Sequence, residues 1–215
     1  MTGSQRTAPN PKDPAAITGC ILAGGIGRRL GGIDKGLVQL DGRPLVAHVI
    51  ARFAPQVDAL LLSVNRNHDQ YRSHCSHLVG DGLADAAGPL AGIAAALAVT
   101  DTAWLAVVPC DSPFLPTLLV ATLRRALAQQ PADIAVARTA DGLQPVFALI
   151  ATRLAPSLAE YLAQGGRKTD AWYARHALLE VDYEHERAAF MNINTPDDLA
   201  TAARRLASCG SRLAR

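Results

Sequence analysis

Short apolar runs, each closed by glycine, proline or aspartate, recur along this chain with helix-length segments between them. Residues 17–23 stop at Gly24-Gly25, residues 58–64 at Asn65-Arg66-Asn67, residues 78–80 at Asp81-Gly82, and residues 104–108 at Pro109-Cys110-Asp111-Ser112-Pro113. A run that is brief and mostly apolar, without alternation, reads as a strand covered on both faces. Helices are expected between them, over 44–54, through Tyr71, over 88–99 and over 116–130. Further along, strands are expected at 134–137, 146–150, 178–183 and 190–193, with helices at 152–163 and 170–177. A short strand at 37–40 ends in a turn at Asp41-Gly42. Thr195-Pro196-Asp197-Asp198 reads as a helix start, with a capping threonine, an N1 proline and early acids, and the helix runs to about 206. This alternation predicts an α/β fold: a Rossmann-like, doubly wound, mostly parallel sheet with helices on both faces. Ligands of such sheets bind outside the carboxyl ends of the strands, where these unusual loops fall.

The 215 residues suit one domain, expected over 17–206, between a polar disordered tail at 1–16 and a frayed tail at 207–215. Hydrophobic residues make up 49% and aromatics only 5%, so the core should be aliphatic. A formal net charge of +2 argues against bulk binding to nucleic acid or a membrane, so any recognition of anions must be local. Cys20, Cys75, Cys110 and Cys209 form no CxxC pair, and this indicates neither a zinc site nor a disulfide framework. With no signal-like leader and no apolar stretch of spanning length, a cytoplasmic monomer is the expectation. The histidines show no ligand spacing, and His74 and His77 read as surface residues.

Six glycines lie between Gly24 and Gly36, with Arg28, Arg29 and Lys35 among them. The loop is not a dinucleotide fingerprint, because Leu30 stands where the third glycine belongs. It is not a Walker A loop either, since Lys35 precedes Gly36 and Leu37 follows. Backbone amides in such a loop make an anion nest, and the cations add charge-assisted hydrogen bonds to phosphate. Asp111 follows an apolar strand in a loop stiffened by Pro109 and Pro113, a setting that suits a hard-oxygen metal ligand. Plainer uses stay open for these residues: a turn or cap for Asp111, Asp81, Asn192 and Asn194, and solvated surface charge for the cations.

Leu22-Ala23-Gly24-Gly25, Gly27-Arg28-Arg29-Leu30-Gly31-Gly32 and Asp34-Lys35 together resemble the L-A-G-G-x-x-x-R-M-G-x-x-K signature of nucleotidyltransferases. They most resemble the molybdenum cofactor guanylyltransferases, the MobA family. Asn65-Arg66-Asn67, Asp81-Gly82 with Gly88-Pro89-Leu90-Ala91-Gly92, Pro109-Cys110-Asp111-Ser112-Pro113, and Asn192-Ile193-Asn194-Thr195-Pro196-Asp197-Asp198-Leu199 resemble further blocks of that family in order. Leu30 departs from the usual methionine, an apolar exchange of similar volume. Some members carry asparagine at the position of Ser63, which leaves open whether Ser63 or Asn65 meets the nucleotide.

The resemblance implies transfer of GMP from GTP to the phosphate of molybdopterin or molybdenum-molybdopterin, with release of pyrophosphate and Mg²⁺ as cofactor. It implies Asp111 as metal ligand, Lys35 and Arg29 as catalytic cations on the triphosphate, and Leu22, Ala23, Gly24, Gly25, Asn65 and Asp81 around the nucleotide. Asn192 and Asn194, alternating along a strand and so facing one side, would bind the second substrate or complete the metal shell; Arg167 and Lys168 would grip the second substrate, and Gln144-Pro145 would line the same cleft. Other proteins of cofactor biosynthesis, or chaperones of target enzymes, are the implied protein partners. A sister enzyme using CTP or a sugar phosphate, a non-catalytic nucleotide-binding module, and a Rossmann oxidoreductase remain the alternatives.

Overall fold

The computed structural model describes residues 15–80 and 88–213. The expected tail at 1–16 lies almost wholly outside the described residues, as do Asp81 and Gly82. Seven strands form one sheet: β1 Ile17–Leu22, β2 Ala59–Ser63, β3 Leu78–Val79, β4 Trp104–Pro109, β5 Ile134–Thr139, β6 Gly142–Ala151 and β7 Leu178–Asp182. Their spatial order is β7-β5-β6-β4-β1-β2-β3. All neighbours run parallel except at β6, which is antiparallel to both β4 and β5.

The helices are α1 Leu45–Phe53, α2 His68–Arg72, α3 Pro89–Val99, α4 Leu119–Gln129, α5 Ala155–Ala163, α6 Thr169–Tyr173 and α7 Pro196–Leu213. Alternate strand residues enter two cores. Ile21, Leu62, Ala106 and Val108 join Val46, Val49 and Phe53 of α1 and Leu123 of α4 on one face. Cys20, Leu61, Leu105 and Val107 join Leu90 and Ile93 of α3, Leu158 of α5 and Trp172 of α6 on the other. The doubly wound, mostly parallel sheet expected from the sequence is therefore the fold.

Register decides where the loops emerge. Leu22 is level with Ser63 on one side and with Pro109 on the other, and Ser63 is level with Val79. The chain therefore leaves β1, β2, β3 and β4 side by side at one carboxyl edge. A third core of Val38, Leu40, Leu45, Phe114, Ile193 and Ala202 seats α7 over that edge, against the segment that follows the glycine-rich loop.

Four expectations need correction. Residues 190–193 are not a strand: a run of 3₁₀ turns, Glu184–Phe190, gives way to an irregular crossing. The Ile193 amide instead donates to the Asp111 carbonyl at 2.9 Å, which ties that segment to the loop after β4 rather than to a strand. Residues 35–37 form a 3₁₀ turn, leaving Gln39–Leu40 to pair with Arg43–Pro44 about an Asp41-Gly42 turn in which both residues have positive φ. The segment expected as a helix over 170–177 ends at Tyr173. Conversely, α7 continues through Leu213 where a frayed tail was expected from 207, because Ser208 and Gly210 weaken a helix without stopping it. Among the described residues no helix is long and apolar enough to cross a membrane.

Candidate functional site at the carboxyl edge

The glycine-rich loop closes on itself as a small hairpin. Ile26–Gly27 pairs antiparallel with Ile33–Asp34, and the Gly32 amide donates to the Gly27 carbonyl at 2.9 Å. Gly31 and Gly32 both have positive φ, near +78° and +77°, which a side chain would strain. Those two glycines thus serve the turn itself, whereas the sequence alone suggested that the whole set approached an anion. The Lys35 amide donates to the Gly25 carbonyl at 3.2 Å and ties the end of the hairpin to its beginning.

Lys35 then reaches across the edge. Its Nζ donates to Asp111 Oδ2 at 3.0 Å, after β4, and to Asn194 Oδ1, just before α7. The pair is mostly withdrawn from water, with side-chain exposures of 22% for Lys35 and 10% for Asp111. The second carboxylate oxygen of Asp111, Oδ1, is buried and has no hydrogen-bond partner among the described residues. An orphaned buried oxygen is costly unless something supplies a positive partner. Next to it, burial and then the charge of Asp111 push the Cys110 thiol far above its usual range, which keeps it protonated and inert.

Asn192 and Asn194 do not share a face on a strand. Ser112 donates its hydroxyl to Asn192 Oδ1, and the Ile193 amide between them donates to the Asp111 carbonyl at 2.9 Å. The crossing segment is thereby fastened to the Asp111 loop at consecutive points. A reciprocal capping box holds its far end: Asp198 Oδ2 accepts from the Asn194 and Thr195 amides at 3.0 and 2.9 Å, and Thr195 Oγ1 accepts from the Asp198 amide.

The remaining expected residues fall as follows. The Leu22 carbonyl accepts from the Cys110 amide and the Ala23 amide donates to the Ser63 carbonyl, so those groups are bound within the sheet. A Cβ on Gly24 would sit 3.2 Å from Asn65 Nδ2, which places the Asn65 side chain against the loop. Ser63 is instead buried beneath α3, its Oγ 2.6 Å from where a Gly92 Cβ would lie. Arg29 stands exposed on the 3₁₀ turn Arg28–Leu30. Arg167 folds back on its own loop, donating to the Leu162 and Gly166 carbonyls, and Lys168 is exposed with its carbonyl bound by Tyr161. Gln144 bonds Thr139, and the Pro145 carbonyl accepts from Tyr173.

Three residues with a part in this geometry had no assigned role in the sequence reading: Asp34, Asn67 and Tyr71. Asp34 is buried, and its carboxylate accepts from the Gly36 amide at 3.2 Å, Asn67 Nδ2 at 3.1 Å and Tyr71 Oη. Burial, then the nearby Cys110 and the bond to Asp34, push the Tyr71 hydroxyl up from its ordinary value, which keeps it a donor. The signals in the sequence were the Asp34-Lys35 pair and the Asn65-Arg66-Asn67 block.

A doubly wound sheet with a glycine-rich loop after its first strand, facing an aspartate after its fourth, is the frame on which this chain matches the nucleotidyltransferases. A family model described as the MobA-like NTP transferase domain matches residues 19–180, and the chain belongs to that family. A molybdenum cofactor guanylyltransferase from Burkholderia ambifaria is 47% identical over 207 residues, covering 92% of this chain and 98% of that protein. One from Ralstonia nicotianae is 48% identical over 198 residues, covering 88% and 97%. Among solved structures, molybdopterin-guanine dinucleotide biosynthesis protein A from Archaeoglobus fulgidus superposes with a TM-score of 0.74 at 27% identity, covering 89% of this chain and 99% of that one.

Proposed function

We propose that the chain transfers GMP from GTP to the phosphate of molybdopterin or molybdenum-molybdopterin, with Lys35, Asp111 and Asn194 at the reacting edge. The relatives' names and the family support guanylyl transfer in molybdenum cofactor synthesis. The observation that carries the residue assignment is the meeting of Lys35 with Asp111 and Asn194, with one buried oxygen of Asp111 left over.

The acceptor phosphate is already ionised at neutral pH, its second pKa being near 6, so no protein base is needed. Its oxygen attacks the α-phosphorus of GTP, the bond to the bridging oxygen of the β-phosphate breaks, and that oxygen leaves as pyrophosphate. The barrier is the approach of an anion to a polyanion, which positioned cations and alignment lower. Lys35 meets the triphosphate charge from the glycine-loop side. The backbone around Gly24, flanked by Asn65, borders the nucleotide, with Asp81 as a further proposed contact. Arg29, exposed on the Arg28–Leu30 turn, is a further proposed cation for the triphosphate, and Asn192, Arg167 and Lys168 are proposed acceptor contacts.

Mg²⁺ is the proposed cofactor. The described residues hold no cluster of three or more potential ligands, but Mg²⁺ commonly takes one or two carboxylates and completes its shell with phosphate and water. The unpartnered Oδ1 of Asp111 fits that donor set. When bound, Mg²⁺ would neutralise phosphate charge and orient the leaving group. A cytoplasmic, monomeric enzyme is the form we infer, in keeping with the free cysteines Cys20, Cys75 and Cys110.

The test is pyrophosphate release from GTP with and without molybdopterin, alongside thermal shifts with GTP and CTP in the presence of Mg²⁺. Release that depends on molybdopterin and stabilisation by GTP are expected. Stabilisation by CTP and none by GTP would overturn the guanylyl assignment.

A further inference from the structure

The residue that precedes Lys35 is buried and held by neutral donors. Asp34 is 5% exposed, and its two oxygens accept three hydrogen bonds, one from its own turn and two from α2 and its cap. One donor is the Gly36 amide, so the carboxylate caps the 3₁₀ turn Lys35–Leu37. Another is Asn67, which holds a left-handed backbone (φ +55°) at the start of α2, and the third is Tyr71 within α2. The Tyr71 hydroxyl fills the space a side chain at position 36 would need, only 2.3 Å from an ideal Gly36 Cβ. Lys35 therefore sits on a two-sided clamp: its amide is tied to Gly25, and the turn it begins is tied through Asp34 to α2.

We infer that Asp34 is a positioning residue for transfer, acting with Tyr71 and Asn67 to aim Lys35 at Asp111 and the incoming phosphates. The inference rests on the catalytic role proposed for Lys35. A lysine side chain has four rotatable bonds and much entropy to lose, and only a fixed backbone beneath it confines the ammonium to one site. The arrangement also explains the asparagine pair after β2. Asn65 lies against Gly24 and Asn67 bonds Asp34, so one short loop braces both ends of the glycine-rich hairpin.

The experiment is a pair of double-mutant cycles, Asp34→Ala with Lys35→Ala and Tyr71→Phe with Lys35→Ala, read as kcat/KM for guanylyl transfer, with Tm measured for every variant. Tyr71→Phe removes a hydroxyl and keeps the ring, so it tests the clamp even where Asp34→Ala folds poorly. With Lys35 present, each change is expected to lower kcat/KM by about tenfold to a hundredfold, the range that a small misplacement of a reacting group produces. In the Lys35→Ala background the same changes are expected to cost less than about threefold, because there is no ammonium left to misplace. Where turnover in that background is too slow to follow, the cycle is read in the dissociation constant of GTP. Equal losses in both backgrounds would reduce Asp34 to a structural residue and overturn the inference. Full activity of Lys35→Ala alone would instead overturn the role of Lys35 itself.

Discussion

Lys35 Nζ lies 3.0 Å from Asp111 Oδ2, joining a loop that follows the first strand to one that follows the fourth, 76 residues later. The same ammonium holds Asn194, 159 residues away. Three loops, two bearing a charged side chain of the site and one an amide, thus meet on one atom. A triphosphate bound as proposed would have to share that ammonium with both Asp111 and Asn194.

Asp111→Asn is expected to lower guanylyl transfer by at least about a hundredfold to a thousandfold, the scale of losing one preorganised electrostatic contact. Its Tm should change little. The ion pair with Lys35 is lost, but so is the charge on a buried oxygen that has no partner. Pyrophosphate release and a thermal melt check the two halves. Transfer at the wild-type rate would remove Asp111 from the site.

Chelation tests the cofactor separately. EDTA should abolish transfer by the wild-type protein, and added Mg²⁺ should restore it. GTP should raise Tm more with Mg²⁺ than without it, since the metal adds binding to the folded state alone. Metal-independent transfer would contradict this.

Gly36→Ala is expected to cost about 1–3 kcal/mol of stability, as overpacking of a filled site does. The new methyl would fall 2.3 Å from Tyr71 Oη and force the ring away from Asp34. Transfer should fall with it. Denaturant unfolding with an unchanged m-value, together with the transfer rate, is the measurement.

Asp198→Ala should reveal a pH-dependent cap. The hydrogen bond with Thr195, with the amides of Asn194 and Thr195, holds the Asp198 carboxyl below its usual 3.8. A depressed carboxylate contributes stability above its unfolded pKa and loses that contribution as pH falls through the folded value. The variant should therefore be less stable than wild type by about 1 kcal/mol at pH 7, the usual worth of a cap. The gap should close below pH 3.8, as thermal melts across that range would show. Because Asp198 also holds the Asn194 amide, a modest loss of transfer at neutral pH should accompany it.

Much of this architecture was legible in the chain. Apolar runs such as 17–22 and 104–109 have nowhere to go but a covered sheet, and Thr195-Pro196-Asp197-Asp198 carries its own capping chemistry within four consecutive residues. Local periodicity and local hydrogen bonding are properties of sequence, so the strands, the start of α7 and the polar loops on one edge follow from residue order alone. Other features were not local. Residues 190–193 have the composition of a strand but join no ladder of the sheet; they cross the site as an irregular segment fastened at Ile193 to Asp111. Nothing between Asp34 and Tyr71 in the sequence says that they touch. Their contact depends on how the glycine hairpin folds and where α2 lands, as the Lys35–Asn194 contact depends on α7 docking over the sheet. Sequence alone determined which residues could stand at the carboxyl edge. Only the tertiary structure decided which of them meet, because a contact between distant residues is set by strand register and helix docking rather than by the residues' own preferences.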